Sequence, residues 1–165
     1  MREITVSPVV AEAIRDMLLA LLRQGRTVRC VSAGCSMRPW IRAGDALVMK
    51  RQAPETFRPG DLAVFVRETG NGEGGGAGAM TVHRVTRGRR FRGESGVLTR
   101  GDARARGGWI AARRLEGKVV RIDRGDLSID PERFGMRWRA RGRAALSELR
   151  ALARLLLRPD GGVRA

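Results

Sequence analysis

Apolar positions recur first at helical spacing and then at alternate residues. Val10, Ala13, Ile14, Met17, Leu18, Leu21 and Leu22 fall on one side of a helix predicted over 8–24, with Glu12, Arg15, Asp16 and Arg23 on the other. Ser7 can cap it, Pro8 suits the first turn and Gly25 ends it. From Thr27 the runs become short, apolar and β-branched, and turn formers separate them. Strands are predicted over 27–32, 46–50, 61–67, 80–86, 96–100, 109–111 and 117–122. In 61–67, Leu62, Val64 and Val66 alternate with Ala63 and Phe65, so both faces call for burial. Residues 87–92 read as a basic turn carrying Phe91. The glycine-rich link from Gly70 to Gly78 reads as a flexible hairpin tip, because a phosphate loop needs a lysine and a following helix. Over 139–158 helical spacing returns, with Leu146, Leu149, Leu152, Leu156 and Leu157 set against Arg143, Arg150, Arg154 and Arg158. This basic amphipathic helix has two readings: packing on the rest of the domain, or lying on an anionic membrane or in a partner's groove. Together these elements predict a mainly β domain, coiled into a partly open β-barrel with flanking N- and C-terminal helices.

The length of 165 residues suits one domain with its β core over 27–122. Aromatics are 4% and tyrosine is absent, so aliphatic side chains must fill the core. A net charge of +16 would ordinarily suggest nucleic acid or an anionic membrane as partner. However, 31 of the 33 basic residues are arginine, spread along the chain, which is also the mark of a compositional bias. With no zinc-ligand spacing, stacking-aromatic motif or recognition helix, specific nucleic-acid binding is not expected, and neither is a cofactor or a metal. A basic surface attracting acidic peptides or lipid headgroups stays open. Cys30 and Cys35 form no disulfide framework and fit a reducing compartment. No run approaches the ~18 apolar residues of a membrane span, and the acidic N-terminal region does not resemble a signal peptide. A cytoplasmic protein is expected, with peripheral membrane contact through the C-terminal helix left open.

Candidate chemistry lies at Ser36 and His83. Ser36 follows the first strand inside Gly34-Cys35-Ser36-Met37-Arg38-Pro39, a loop that Ala43-Gly44-Asp45 returns to the next strand. His83, the one histidine, lies in the 80–86 strand on the same face as Thr81 and Val85. A free serine is a weak nucleophile that needs an adjacent base, and unperturbed imidazole titrates near ~6.5. The two are a possible dyad; an ordinary turn serine and a half-exposed strand histidine are the alternatives.

The ordered blocks Gly34-x-Ser36-Met37-x-Pro39, Gly44-Asp45, Pro59-Gly60-Asp61-Leu62-Ala63-Val64-Phe65, Val82-His83-Arg84-Val85, Thr99-Arg100-Gly101-Asp102 and Gly117-Lys118-Val119-Val120 resemble the type I signal peptidase and LexA-type serine peptidase superfamily. The resemblance covers roughly residues 27–122 and implies that fold. It also implies a peptidase that hydrolyses a peptide bond in a precursor or leader peptide, with Ser36 as nucleophile. Most bacterial members use lysine as base, and the endoplasmic-reticulum kind uses histidine, the pattern that His83 follows. Lys50 and Lys118 lie outside the position of the family's base. By the same resemblance Asp102 supports the histidine, although the second acidic residue usual after it is replaced by Ala103-Arg104-Ala105-Arg106. Gly34 stands where membrane signal peptidases carry a serine that helps hold the oxyanion, which leaves the Ser36 backbone N–H as donor. Ser32, Ala33, Gly34, Met37 and Val82 are the residues implied to line the substrate cleft. Membrane-bound members have an anchor where this chain has the 8–24 helix. Two other classes of function stay open: a non-catalytic peptide-binding or regulatory module on this fold, and a basic protein that binds anionic lipid or nucleic acid.

Overall fold

Residues 62–66 are apolar on both faces, and each face meets its own core. In the computed structural model, which describes residues 8–67, 78–91 and 94–133, Leu62 and Val64 join one cluster with Val28, Leu47, Met49, Val119 and Ile122. Ala63 and Phe65 join a second with Phe57, Val85, Val97, Ile110 and Leu115. The helix expected over 139–158 and residues 70–77 of the glycine-rich link lie outside the described residues.

Among the described residues there is one α-helix, α1 (Pro8–Arg23). The strands are β1 (Val28–Val31), β2 (Ala46–Lys50), β3 (Leu62–Val66), β4 (Met80–Phe91), β5 (Glu94–Arg100), β6 (Gly107–Ala111), β7 (Leu115–Arg124) and β8 (Leu127–Ile129). They form one antiparallel sheet that does not close, in the order β1-β2-β7-β3-β4-β5-β6, with β8 paired to the last residues of β7. The chain is therefore mainly β.

Helix α1 covers the first cluster with its C-terminal half only. Leu19 and Leu22 are buried and Leu18 and Leu21 pack beside them, whereas Val10, Ile14 and Met17 of the predicted apolar face stay exposed. Arg23 pairs with the buried Glu116 of β7, and Arg15 donates to the Gly78 carbonyl at 2.9 Å.

The basic turn expected over 87–92 is instead the continuation of β4. The strand runs on to Phe91 after a bulge between Val85 and Arg87, and it pairs with β5 from Arg84↔Arg100 to Phe91↔Glu94. Arginine is compatible with a strand when its side chain reaches solvent, as Arg87 does, because the ladder bonds the backbone whatever the side chain. The short β8 was not foreseen: it follows a turn at Gly125, and three residues carry too little pattern.

Candidate active site

The loop between β1 and β2 is tied at its base and plugged into the core. Ser32 N–H donates to the Asp45 carbonyl and Gly44 N–H to the Ser32 carbonyl, both at 2.8 Å. Gly44 has φ +92°, a backbone region that side chains disfavour. Met37 and Ile41 are buried in the first cluster, and burial of each such side chain stabilises by about 1.5–3 kcal/mol. The Asp45 carboxylate accepts from Arg124 Nε at 2.8 Å and Nη2 at 2.7 Å, and from the Arg42 N–H at 2.7 Å. Arg124 also donates to the Trp40 carbonyl at 2.9 Å, so a single guanidinium holds two points of the loop. Its hydrogen bonds hold the Asp45 carboxyl below the ordinary carboxylate range; burial opposes this shift and the Arg42 N–H reinforces it. The Arg38–Pro39 peptide is cis.

This loop meets β4 at Ser36. His83 lies opposite Ala63 in the ladder, is buried, and sets its ring edge to face against Phe65 with centroids 5.7 Å apart. Its Nε2 is 3.3 Å from Ser36 Oγ, and Ser36 is half-buried. When Nε2 is unprotonated the hydroxyl donates to it, the contact a serine nucleophile requires, and one that is often loose before substrate binds. The lysines are elsewhere. Lys118 is buried beside Asp61 at 3.3 Å and also pairs with Glu132, and Lys50 is the exposed end of β2.

Asp102 lies close to this pair but bonds to the next residue along β4. Its two carboxylate oxygens accept from Arg84 Nε at 2.8 Å and Nη2 at 2.7 Å, and Arg84 Nη1 donates to the Gly60 carbonyl at 3.0 Å. The carboxylate expected to support the imidazole is bound bidentately by the arginine beside it. Adjacent strand residues project to opposite faces, so Arg84 reaches the 101–104 loop when His83 turns the other way. Arg84 was missed as a site residue, although a charge next to the one histidine in an otherwise apolar strand was the available signal. The loop it holds touches the serine: Ala103 N–H donates to the Ser36 carbonyl at 2.8 Å. A Cβ on Gly101 would lie 2.7 Å from the Ser36 carbonyl oxygen and 3.1 Å from Ser36 Cβ, so glycine permits this close approach.

Ser36 and His83 border a cleft of about 590 Å³, and Ser32, Ala33, Gly34, Met37 and Val82 border it too. Two strand edges face it. Ser32 spends its N–H and C=O on the β2 side, so by ladder alternation Val31 and Ala33 turn theirs outward. Val85 likewise bonds back to Asp61 and Gly60, which turns the groups of Val82 and Met80 outward at the stretch of β4 that precedes its pairing with β5. Among the described residues no partner takes the Ser36 N–H. Space is open around Gly34, where an added Cβ would meet nothing within 4 Å. No group of three potential metal ligands occurs among the described residues. No protein-family model matches this sequence, and no curated protein matches it.

Proposed function

We propose that this protein is a serine endopeptidase of the Ser/His kind, similar to signal peptidases, that cuts a precursor or leader peptide. The observation that carries this reading is the 3.3 Å contact between Ser36 Oγ and His83 Nε2 at the wall of a cleft flanked by two open strand edges. The edges of β1 and β4, uncommitted among the described residues, suit a peptide bound in extended form through its backbone. Ser36 Oγ attacks the scissile carbonyl carbon while its proton passes to His83 Nε2. The Ser36 N–H receives the developing oxyanion. As the C–N bond breaks, the imidazolium returns the proton to the leaving amine. Water then loses a proton to His83 and attacks the acyl carbon, and the Ser36 oxygen leaves with that proton. Asp102 serves as a positioning residue in this reading: paired with Arg84, it fixes the loop against which Ser36 rests.

The open antiparallel sheet is in keeping with the coiled, partly open barrel of the signal peptidase and LexA-type fold. The described helix is not long and apolar enough to cross a membrane; in this reading the protein acts on cytoplasmic precursors. A digested-proteome peptide library, sequenced for new termini after incubation, tests the proposal. Wild type should cut at recurrent sites, and Ser36→Ala and His83→Ala should each lower cleavage by on the order of 10⁴-fold or more with unchanged circular dichroism. Equal cleavage by Ser36→Ala would contradict it.

A further inference from the structure

Two of the arginines that brace the site have carboxylate partners. Arg84 is bonded to Asp102 and Arg124 to Asp45. Arg104 is half-buried and lines the cleft, yet among the described residues no carboxylate or carbonyl receives its guanidinium. Its backbone is fixed, since its N–H donates to the Gly101 carbonyl at 2.9 Å in the loop that holds the Ser36 carbonyl. Its stem is close to the nucleophile: Arg104 Cγ and Ser36 Cβ lie 3.0 and 3.1 Å from one shared point, the position of a Gly101 Cβ. Among the described residues the cleft wall includes two arginines, Arg67 and Arg104, and no aspartate or glutamate. A guanidinium without an internal partner, on a cleft wall of one charge sign, is arranged to take a carboxylate from outside.

We propose that Arg104 is a specificity-determining residue that binds a carboxylate of the peptide close to the scissile bond. This rests on the peptidase reading above. The carboxylate belongs either to an Asp or Glu side chain near the cut or to a free C-terminus, and the two call for different peptides. Three randomised, fluorophore-labelled decapeptide pools separate them: one with Asp and Glu and amidated C-termini, one without acidic residues and with free C-termini, and one neutral and amidated. Wild type should cut one of the first two at least tenfold faster than the third, and the faster pool identifies the source. Arg104→Ala should abolish that preference while still cutting the neutral pool. Arg87→Ala, which removes an equal charge at an exposed position of β4 outside the cleft, should keep it. The same preference in Arg104→Ala as in wild type, or cleavage by wild type without preference, would overturn the proposal. If no pool is cut, the peptidase reading fails by itself, and retention of the pools on immobilised protein decides the present point. Carboxylate-dependent retention that needs Arg104 but not Arg87 supports the site, and retention indifferent to Arg104 overturns it.

Discussion

The turns Arg42-Ala43-Gly44-Asp45 and Arg100-Gly101-Asp102 use the same Gly-Asp pair on opposite sides of the nucleophile, to different ends. Each aspartate is bound bidentately by an arginine from a strand, Asp45 by Arg124 of β7 and Asp102 by Arg84 of β4. The Asp45 turn closes the base of the serine loop, and its glycine is needed for φ +92° with open space around it. The Asp102 turn presses on the serine, and its glycine is needed because a side chain would strike Ser36. Gly60-Asp61 resembles the first: Asp45 and Asp61 each accept from the N–H three residues earlier, and Asp61 lies beside Lys118. One motif therefore serves as a staple in two places and as a rest for the nucleophile in the third.

Substitutions should separate these roles. The largest expected effects are on stability, at the two aspartates. Asp45→Ala leaves Arg124 without its carboxylate and the Arg42 N–H without its acceptor, and should cost about 3–5 kcal/mol in denaturant unfolding. Asp102→Ala should cost a comparable amount, because it leaves the more buried guanidinium unpaired, Arg84 being 6% exposed and Arg124 28%. Next, Gly101→Ala should lower peptide cleavage by roughly 10²-fold, the consequence of a ~1 Å displacement of the serine. Gly44→Ala should instead destabilise by about 1 kcal/mol and spare the rate of the folded fraction. The comparison would break if Gly44→Ala reduced turnover of folded protein as much as Gly101→Ala does.

Asp45 also links stability to acid. The Asp45 carboxyl is lowered from its ordinary value chiefly by Arg124, so its contribution to stability is complete above the unfolded-state value near ~3.9. It is lost as pH falls through the lower folded value. Chemical denaturation from pH 6 down to 2 should show a decline below about 4 that Asp45→Asn flattens. The smallest effect concerns the open side of the cleft: Gly34→Ser should leave stability within about 0.5 kcal/mol, since nothing crowds its Cβ. If its hydroxyl reaches the oxyanion it should raise the cleavage rate, and an unchanged rate would show that it does not.

Much of this arrangement was legible in local pattern. Helix α1, strands β1 to β3 and the start of β4 follow from spacing that each segment carries by itself, and Ser36 and His83 stand out as a serine in a punctuated turn and the single histidine. What was hidden depends on pairing across the sheet. The extension of β4 past Arg87 exists because β5 bonds to it, and nothing in Arg87 to Arg92 announces that. The partner of Asp102 is set by the alternation of β4, which sends Arg84 one way and His83 the other. Arg104 is one arginine among 31 in the sequence. Only the folded chain places it on the wall of the cleft.

The proposed mechanism depends on His83 activating Ser36. Incubation with a fluorophosphonate from pH 5 to 9, read by intact mass and peptide mapping, tests it most directly. A single adduct on Ser36 is expected, formed faster as the imidazole deprotonates and at least 10²-fold slower in folded His83→Ala. No adduct on Ser36 at any pH, or equal labelling of wild type and His83→Ala, would contradict it.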